Sequence, residues 1–222
     1  LLIAWSVTAQ TKDTLRIQLP AKKSYLPTGV RIGVDALSLI KSQVQKDFSG
    51  WEVTGDVDLD RYLVAGDLGN WARTFESDSG TYTNSGSYWR LGAQVNFLTK
   101  DIDKNVFFLG FYYGRSKFSE DLTIINNDLV YGPLTQDFAN RDVKAGWAEL
   151  TTGLKVKMFS FIWFGATARF KFGLGTQGED EMLVHDVPGY GRTNKDSYWG
   201  FNYYIMARIP VRKQKQTLRI VK

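Results

Sequence analysis

From about Thr28 onward the chain alternates apolar and polar residues with a period of two, in runs of about ten residues broken by polar turns. Successive side chains of a β-strand point to opposite faces, so each run has one apolar and one polar face. Eight such runs are readable. In TGVRIGVDA, Val30, Ile32, Val34 and Ala36 oppose Arg31, Gly33 and Asp35. In WEVTGDVDL, Trp51, Val53, Val57 and Leu59 oppose Glu52, Thr54, Asp56 and Asp58. RYLVAGDLG sets Tyr62, Val64 and Leu68 against Arg61, Ala65 and Asp67, and YWRLGAQVNF sets Trp89, Leu91, Ala93, Val95 and Phe97 against Arg90, Gly92, Gln94 and Asn96. NVFFLGFYYG is apolar on both faces, with Phe107, Leu109, Phe111 and Tyr113 the bulkier set. WAELTTGLKVKM opposes Ala148, Leu150, Leu154, Val156 and Met158 to Glu149, Lys155 and Lys157. FIWFGATARFKF opposes Ile162, Phe164, Ala166, Ala168, Phe170 and Phe172 to Trp163, Gly165, Thr167, Arg169 and Lys171. YWGFNYYIMARI opposes Phe201, Tyr203, Ile205, Ala207 and Ile209 to Asn202, Tyr204, Met206 and Arg208.

The connections alternate in length. Lys41–Gly50 is moderate, and Asn70–Ser87, Ser116–Ala145 and Leu174–Asp196 are long. Those near Asp58–Arg61, Leu98–Lys104 and Phe159–Ser160 are short. Short turns at one rim and long loops at the other are the mark of an up-and-down barrel. The expected fold is all-β: an eight-stranded antiparallel up-and-down transmembrane β-barrel over residues 28–212.

Alternation alone does not choose between a membrane barrel and a soluble lipocalin-like one, because the two differ only in which face points inward. Three features favour the membrane. The polar faces carry near-balanced charge, with Arg31, Arg90, Lys155, Lys157, Arg169, Lys171 and Arg208 against Asp35, Glu52, Asp56, Asp58, Asp67 and Glu149. An eight-stranded barrel has a lumen just wide enough to be filled by such side chains, provided that they pair. Aromatic residues stand near run ends, at Trp51, Tyr62, Tyr88, Trp89, Trp147, Phe159, Phe172, Tyr198 and Trp199, as interfacial girdles require. The apolar faces carry almost no charge. A hydropathy scan does not oppose this reading: no stretch is long and apolar enough for a membrane helix, but barrel strands give only a weak signal.

Residues 1–9, LLIAWSVTA, read as the end of a secretory signal peptide, with small residues at the expected cleavage point. Residues 10–27 read as a periplasmic lead-in and 213–222 as a basic periplasmic tail. The absence of Cys excludes disulfides, thiolate metal sites and cysteine nucleophiles. The net charge of +5 does not by itself imply nucleic acid, and no run interleaves basic and aromatic residues as nucleic-acid binding would need.

The runs GVRIGVDALSLI, FSGWEVTGDVDLDRYLVAGDLG, YWRLGAQVNF and FFLGFYYGRSKF resemble an uncharacterised family of small outer-membrane β-barrels of Bacteroidota, from about Thr28 to Arg212. The resemblance implies a signal peptide, an outer-membrane location and no assigned enzymatic activity. By analogy it implies an accessory role in larger outer-membrane machines, including those that insert other barrels.

Candidate chemistry is sparse. The one His, His185, lies among Glu179, Asp180, Glu181 and Asp186, which read as a surface cation site or as a solvated acidic loop. His185 with Ser197 is the only pairing that a serine-type lipid enzyme could use, and nothing in the sequence orients it. The expectation is therefore a non-catalytic outer-membrane barrel without cofactor or resident metal. Its lumen is plugged by Arg31, Asp35, Glu52, Asp56, Asp67, Arg90, Glu149, Lys155, Arg169, Lys171 and Arg208. Its expected partners are outer-membrane lipid and other outer-membrane proteins, with no nucleic acid. The longest connection carries an apolar set, Ile124, Ile125, Leu129, Val130, Tyr131 and Leu134, which either docks a partner, packs on the barrel rim or extends the strands. A lipid or lipid A modifying enzyme and a soluble lipocalin-like binder are the alternatives.

Overall fold

A computed structural model describes residues 26–128 and 132–211. The expected signal segment, nearly all of the lead-in, and the basic tail lie outside those residues, as do Leu129, Val130 and Tyr131. The elements in order are β1 (Gly29–Asp35), α1 (Ala36–Val44), β2 (Phe48–Leu59), β3 (Tyr62–Ser77), β4 (Gly80–Asn96), β5 (Val106–Asp128), β6 (Gly132–Phe159) and β7 (Ile162–Gln177). A short hairpin, β8 (Asp186–Val187) and β9 (Gly191–Arg192), precedes β10 (Ser197–Pro210).

Eight strands close on themselves in the order β1-β10-β7-β6-β5-β4-β3-β2, all antiparallel, with β1 paired to both β2 and β10. The period of two decides which way each side chain faces. Trp51, Leu68, Leu91, Phe111, Leu150, Phe201 and Ile205 lie exposed on the outer wall, while Arg31, Asp56, Asp67, Arg90, Glu149 and Arg169 are buried inside. In β5, apolar on both faces, the bulkier set is outside and Val106, Phe108 and Tyr112 fill the lumen. Register is held by opposite charges placed directly across strand pairs: Arg31 against Asp56, Asp67 against Arg90 and Glu149 against Lys171. A slip of one residue would turn all these charges onto the apolar wall, which is why the register is specified.

One rim, the near rim, holds the tight turns at 60–61 and 160–161 and the ends of β1 and β10. Asp60 takes the left-handed conformation, φ 71°, that closes the β2–β3 turn. The far rim departs from expectation in three ways. Ala36 does not extend β1; it starts α1, because Asp35 caps the helix by accepting from the Leu37 N–H at 3.1 Å and the Ser38 hydroxyl at 2.7 Å. The segments 70–87, 116–128 and 132–145 are not loops but strand, apart from the 78–79 turn. β3 and β4 stay paired from Asn70↔Ser87 to Ser77↔Gly80, and β5 and β6 from Ser116↔Ala145 to Asp128↔Gly132. The wall is therefore tall along β3–β6 and lower elsewhere. Of the apolar set in that segment, Ile124, Ile125 and Leu134 are exposed on these strand extensions.

Inside, large rings lie over glycines. A Cβ on Gly92 would stand 2.4 Å from the Tyr112 ring, and one on Gly114 2.3 Å from the Trp147 ring. No side chain fits at either position without displacing a buried ring. Gly92→Leu is expected to cost at least about 1–3 kcal/mol through overpacking. It should lower the temperature at which the folded barrel loses its compact gel mobility; an unchanged midpoint would contradict this packing.

Candidate functional site

The lumen is filled in two tiers. In the middle, two arginines serve three carboxylates. Arg169 reaches Asp67 and Glu149 at 2.8 Å each, Asn202 at 2.8 Å and the Tyr204 hydroxyl at 2.9 Å. Arg90 pairs with Glu52, with Asp67 at 3.1 Å and with Glu149 at 3.6 Å. Glu52 and Glu149 also accept from neutral donors, while Asp67 Oδ1 is buried without a hydrogen-bond partner among the described residues. Tyr88 and Tyr204 each donate to Glu52 at 2.5 Å, and the Trp147 indole donates to Glu149 at 2.7 Å. Nearer the first rim, Asp56 is held by Arg31 and by Lys155, both at 2.8 Å, and Asp58 by Arg208 at 3.5 Å. Lys155 also donates to Gln94 at 2.9 Å. Arg31 and Arg208 both lie over the Trp163 ring, at 5.4 and 5.9 Å, which eases their placement side by side on β1 and β10.

Two predicted members of this network are used differently. Among the described residues Asp35 has no cation within ion-pair distance; it caps α1, and accepts from Asn202 at 2.9 Å and from the Tyr203 N–H at 3.2 Å. The Lys171 ammonium donates to the backbone carbonyls of Gly189 at 2.7 Å and Tyr190 at 3.1 Å rather than to a carboxylate. That contact ties the lumen to a cap.

The cap is the segment between β7 and β10, folded back into the far mouth by the β8–β9 hairpin. Val184, Val187 and Tyr190 pack on Tyr88, Phe118, Val143 and Trp147. Tyr88, Trp147 and Tyr198, expected in a girdle, belong to this interior cluster, because they lie on the inward face of their strands. Trp51, Tyr62, Trp89, Phe159, Phe172 and Trp199 do face outward. Three buried polar residues of the tall wall hold the cap's backbone. Asn84 donates to the Asp186 carbonyl at 2.7 Å. Asn140 donates to the Met182 carbonyl at 2.7 Å and accepts from the Asp180 N–H at 3.0 Å. Glu120 accepts from the Tyr82 hydroxyl at 2.6 Å and the His185 N–H at 3.2 Å.

Three of the four acidic residues around His185 are engaged by protein. Asp186 pairs with Arg73 at 2.6 Å, Glu181 accepts the Ala139 N–H at 2.6 Å and Glu179 accepts from Thr176. Among the described residues no three His, Asp or Glu side chains gather to hold a metal ion, and no hydrogen bond joins His185 to Ser197. The His185 ring instead lies edge-on to Tyr82, centroids 5.4 Å apart.

The model of the Domain of unknown function (DUF6048) family matches residues 2–214. The chain belongs to this family. No functionally curated protein matches it. Among solved structures it is similar to Neisserial surface protein A (NspA), at 10% identity and a TM-score of 0.36, over 82% of this chain and 94% of that one.

For this DUF6048 chain, sequence reasoning missed Tyr82, Asn84, Glu120 and Asn140, which lie in stretches polar on both faces. It also left Trp147 and Tyr88 on the wrong side of the wall. The signal available was the strand-prone composition of Thr81-Tyr82-Thr83.

Arg169 is fully buried, so Arg169→Met strands Asp67 and Glu149 with incomplete partners, at a cost of about 3–5 kcal/mol. The expected readout is a large drop in the denaturant midpoint, and Arg169→Lys should recover only part of it. The cap should respond to pH. Burial raises the Glu120 carboxyl above its ordinary 4.5, against the opposing bonds from Tyr82 and His185, and burial raises Asp186 above 3.8 despite Arg73. A carboxyl raised on folding adds stability that is complete below its unfolded value and is lost as pH rises through its folded one. Cap amides should therefore exchange more slowly, after correction for intrinsic rate, in mildly acid than in neutral buffer. Glu120→Gln should shrink that difference.

Proposed function

We propose that the chain is an integral barrel of the bacterial outer membrane, non-catalytic and non-conducting, serving as a structural or accessory subunit of a larger outer-membrane complex, as the resemblance to Bacteroidota barrels suggests. The observation that carries the membrane reading is the direction of the wall. Arg31, Glu149 and Arg169 are at most 2% exposed inside, while Leu68, Phe111 and Phe201 are about 60% exposed outside. In water this arrangement would leave a broad apolar belt solvated and would still require the desolvation of the charges within. In lipid the belt is matched, and the sheet closes on itself through the pairing of β1 with β10. A lipocalin-like binder needs the opposite arrangement, with an apolar lumen.

A lumen blocked by paired charge below and by the β8–β9 cap above supports the non-conducting reading. With the near rim periplasmic, the tall wall and the cap face outward from the cell. Ile124, Ile125 and Leu134 then form an exposed apolar set on the extended β5–β6 ribbon, suited to contact with another outer-membrane protein.

The test has three readouts. The tagged protein should require detergent for extraction, and a planar bilayer containing it should show no conductance steps. A mild-detergent pull-down from native membranes should recover other outer-membrane proteins in stoichiometric amount. Extraction without detergent would end the membrane reading, and recovery alone would end the subunit reading.

A further inference from the structure

β1 is the shortest strand of the wall, and where it stops the wall changes character. It pairs with β2 only up to Val34↔Val53 and with β10 only up to Asp35↔Tyr204. Beyond that level, 48–52 of β2 and 197–203 of β10 are paired on one side only. The chain fills this gap with α1, packed against both strands. On the β2 side the helix substitutes well for a strand: the Ser42 hydroxyl accepts the Gly50 N–H and donates to the Gly50 carbonyl, both at 2.7 Å. On the β10 side the substitution is incomplete. A cavity of about 560 Å³ lies between α1 and β10 and continues into the barrel mouth.

The cavity borders both faces of the wall. At its outer lip are Trp199 and Phe201, each about 60% exposed, with Leu37 of α1 beside them. Its inner part is cationic: Lys41, Arg73, Lys171 and Arg192 line it against a single carboxylate, Asp47. Arg73 is held by Asp186 and Lys171 by the cap carbonyls. Among the described residues Lys41 has no carboxylate within ion-pair distance, while Arg192 stands across the β8–β9 pair from Asp186 and shares that carboxylate's field with Arg73. Arg192 lies over the Phe75 ring at 5.9 Å, which positions its guanidinium without neutralising it. The one-sided stretch of β10 adds the N–H donors of an open sheet edge, which at membrane depth is tolerated where it lines a polar cavity.

We propose that this lateral bay holds the anionic headgroup of one lipid of the surrounding leaflet, entering sideways between α1 and β10. The phosphate meets Lys41 and Arg192, and the acyl chains lie on Trp199, Phe201 and Leu37. An amphiphile fits because the bay opens onto the apolar belt and is basic within. An anionic headgroup fits because the lining carries four cations against one carboxylate, and Lys41 is in no ion pair among the described residues. This inference rests on the membrane reading of the preceding subsection.

The test is native mass spectrometry of the full chain in mild detergent, with phosphatidylglycerol or phosphatidylcholine added. The variants are Lys41→Glu with Arg192→Glu, both exposed positions outside the lumen network. Retained gel compactness, lost on heating, verifies that they fold. The wild type should keep one phosphatidylglycerol in preference to phosphatidylcholine, and the double variant should lower that retention by about tenfold or more. Arg115→Glu with Lys144→Glu, on the outer wall elsewhere, should leave it unchanged. Equal retention of both lipids, or no effect of the bay variants, overturns the proposal. Loss only in the Arg115 and Lys144 variants overturns it too, placing the lipid on the outer wall. Release of a protein partner by the bay variants with lipid retention intact also overturns it, making the open edge a strand-docking site. A chain that is soluble without detergent removes the membrane reading and the bay together, whereas a detergent-requiring barrel without lipid preference removes the bay alone.

Discussion

The sharing of Glu52, Asp67 and Glu149 between Arg90 and Arg169 is the interaction on which the rest of this structure depends. Each charge taken from water costs several kcal/mol, and the cost is recovered only where every lone pair and every N–H finds a partner. Here the arginines use their planar forks to reach carboxylates on β2, β3 and β6 at once, which lysine's point charge could not do. Tyr88 and Tyr204, from β4 and β10, add donors to Glu52, and Trp147 adds one to Glu149 from the same strand. The pairing across strands fixes the register, and the register in turn puts Leu, Phe and Trp on the outside. The same network thus sets the solvent in which the barrel is stable and closes the passage through it.

The far rim follows a different logic. Where β1 ends, the wall is continued by a helix on one side and is open on the other. Across the mouth, the tall strands β3–β6 present buried amide and carboxyl side chains that hold the backbone of a loop with little regular structure of its own. A buried loop must have its N–H and C=O groups satisfied, and Asn84, Asn140 and Glu120 do this while Val187 and Tyr190 supply the apolar contact. Lys171 links the two regions, since its ammonium rises from the lumen to the cap carbonyls.

Strand number, facing and most of the lumen charges were legible because one face of each run is apolar and the other is not. Legibility failed where that contrast is absent. Thr81 to Ser87 is polar on both faces, so its strand looked like a loop; its inner face is covered by the cap, distant in sequence and invisible to local pattern. Asp35 looked like one more lumen charge because its cap role depends on α1. The helix did leave a trace in ALSLIKSQV, where Ala36, Leu39, Ile40 and Val44 follow a helical spacing, but the preceding alternation carries the eye past it. Tyr88 and Trp147 show the limit of reading rings at strand ends as girdle: an aromatic one residue out of phase belongs to the core.

The unequal height of the wall gives the molecule a front and a back. From Tyr113, at the edge of the belt, to Asp128 the β5 ribbon has a contour of roughly 50 Å at about 3.3 Å per residue, while β10 begins at Ser197, barely above the belt. In a bilayer such a shape is directional within the plane. A neighbouring protein can approach the β10–α1 side closely but meets a four-stranded screen on the other, and a large object arriving from the far-rim side touches the screen long before it touches the mouth. Lateral crowding would therefore favour one orientation of neighbours over others even without a specific contact, through shape alone.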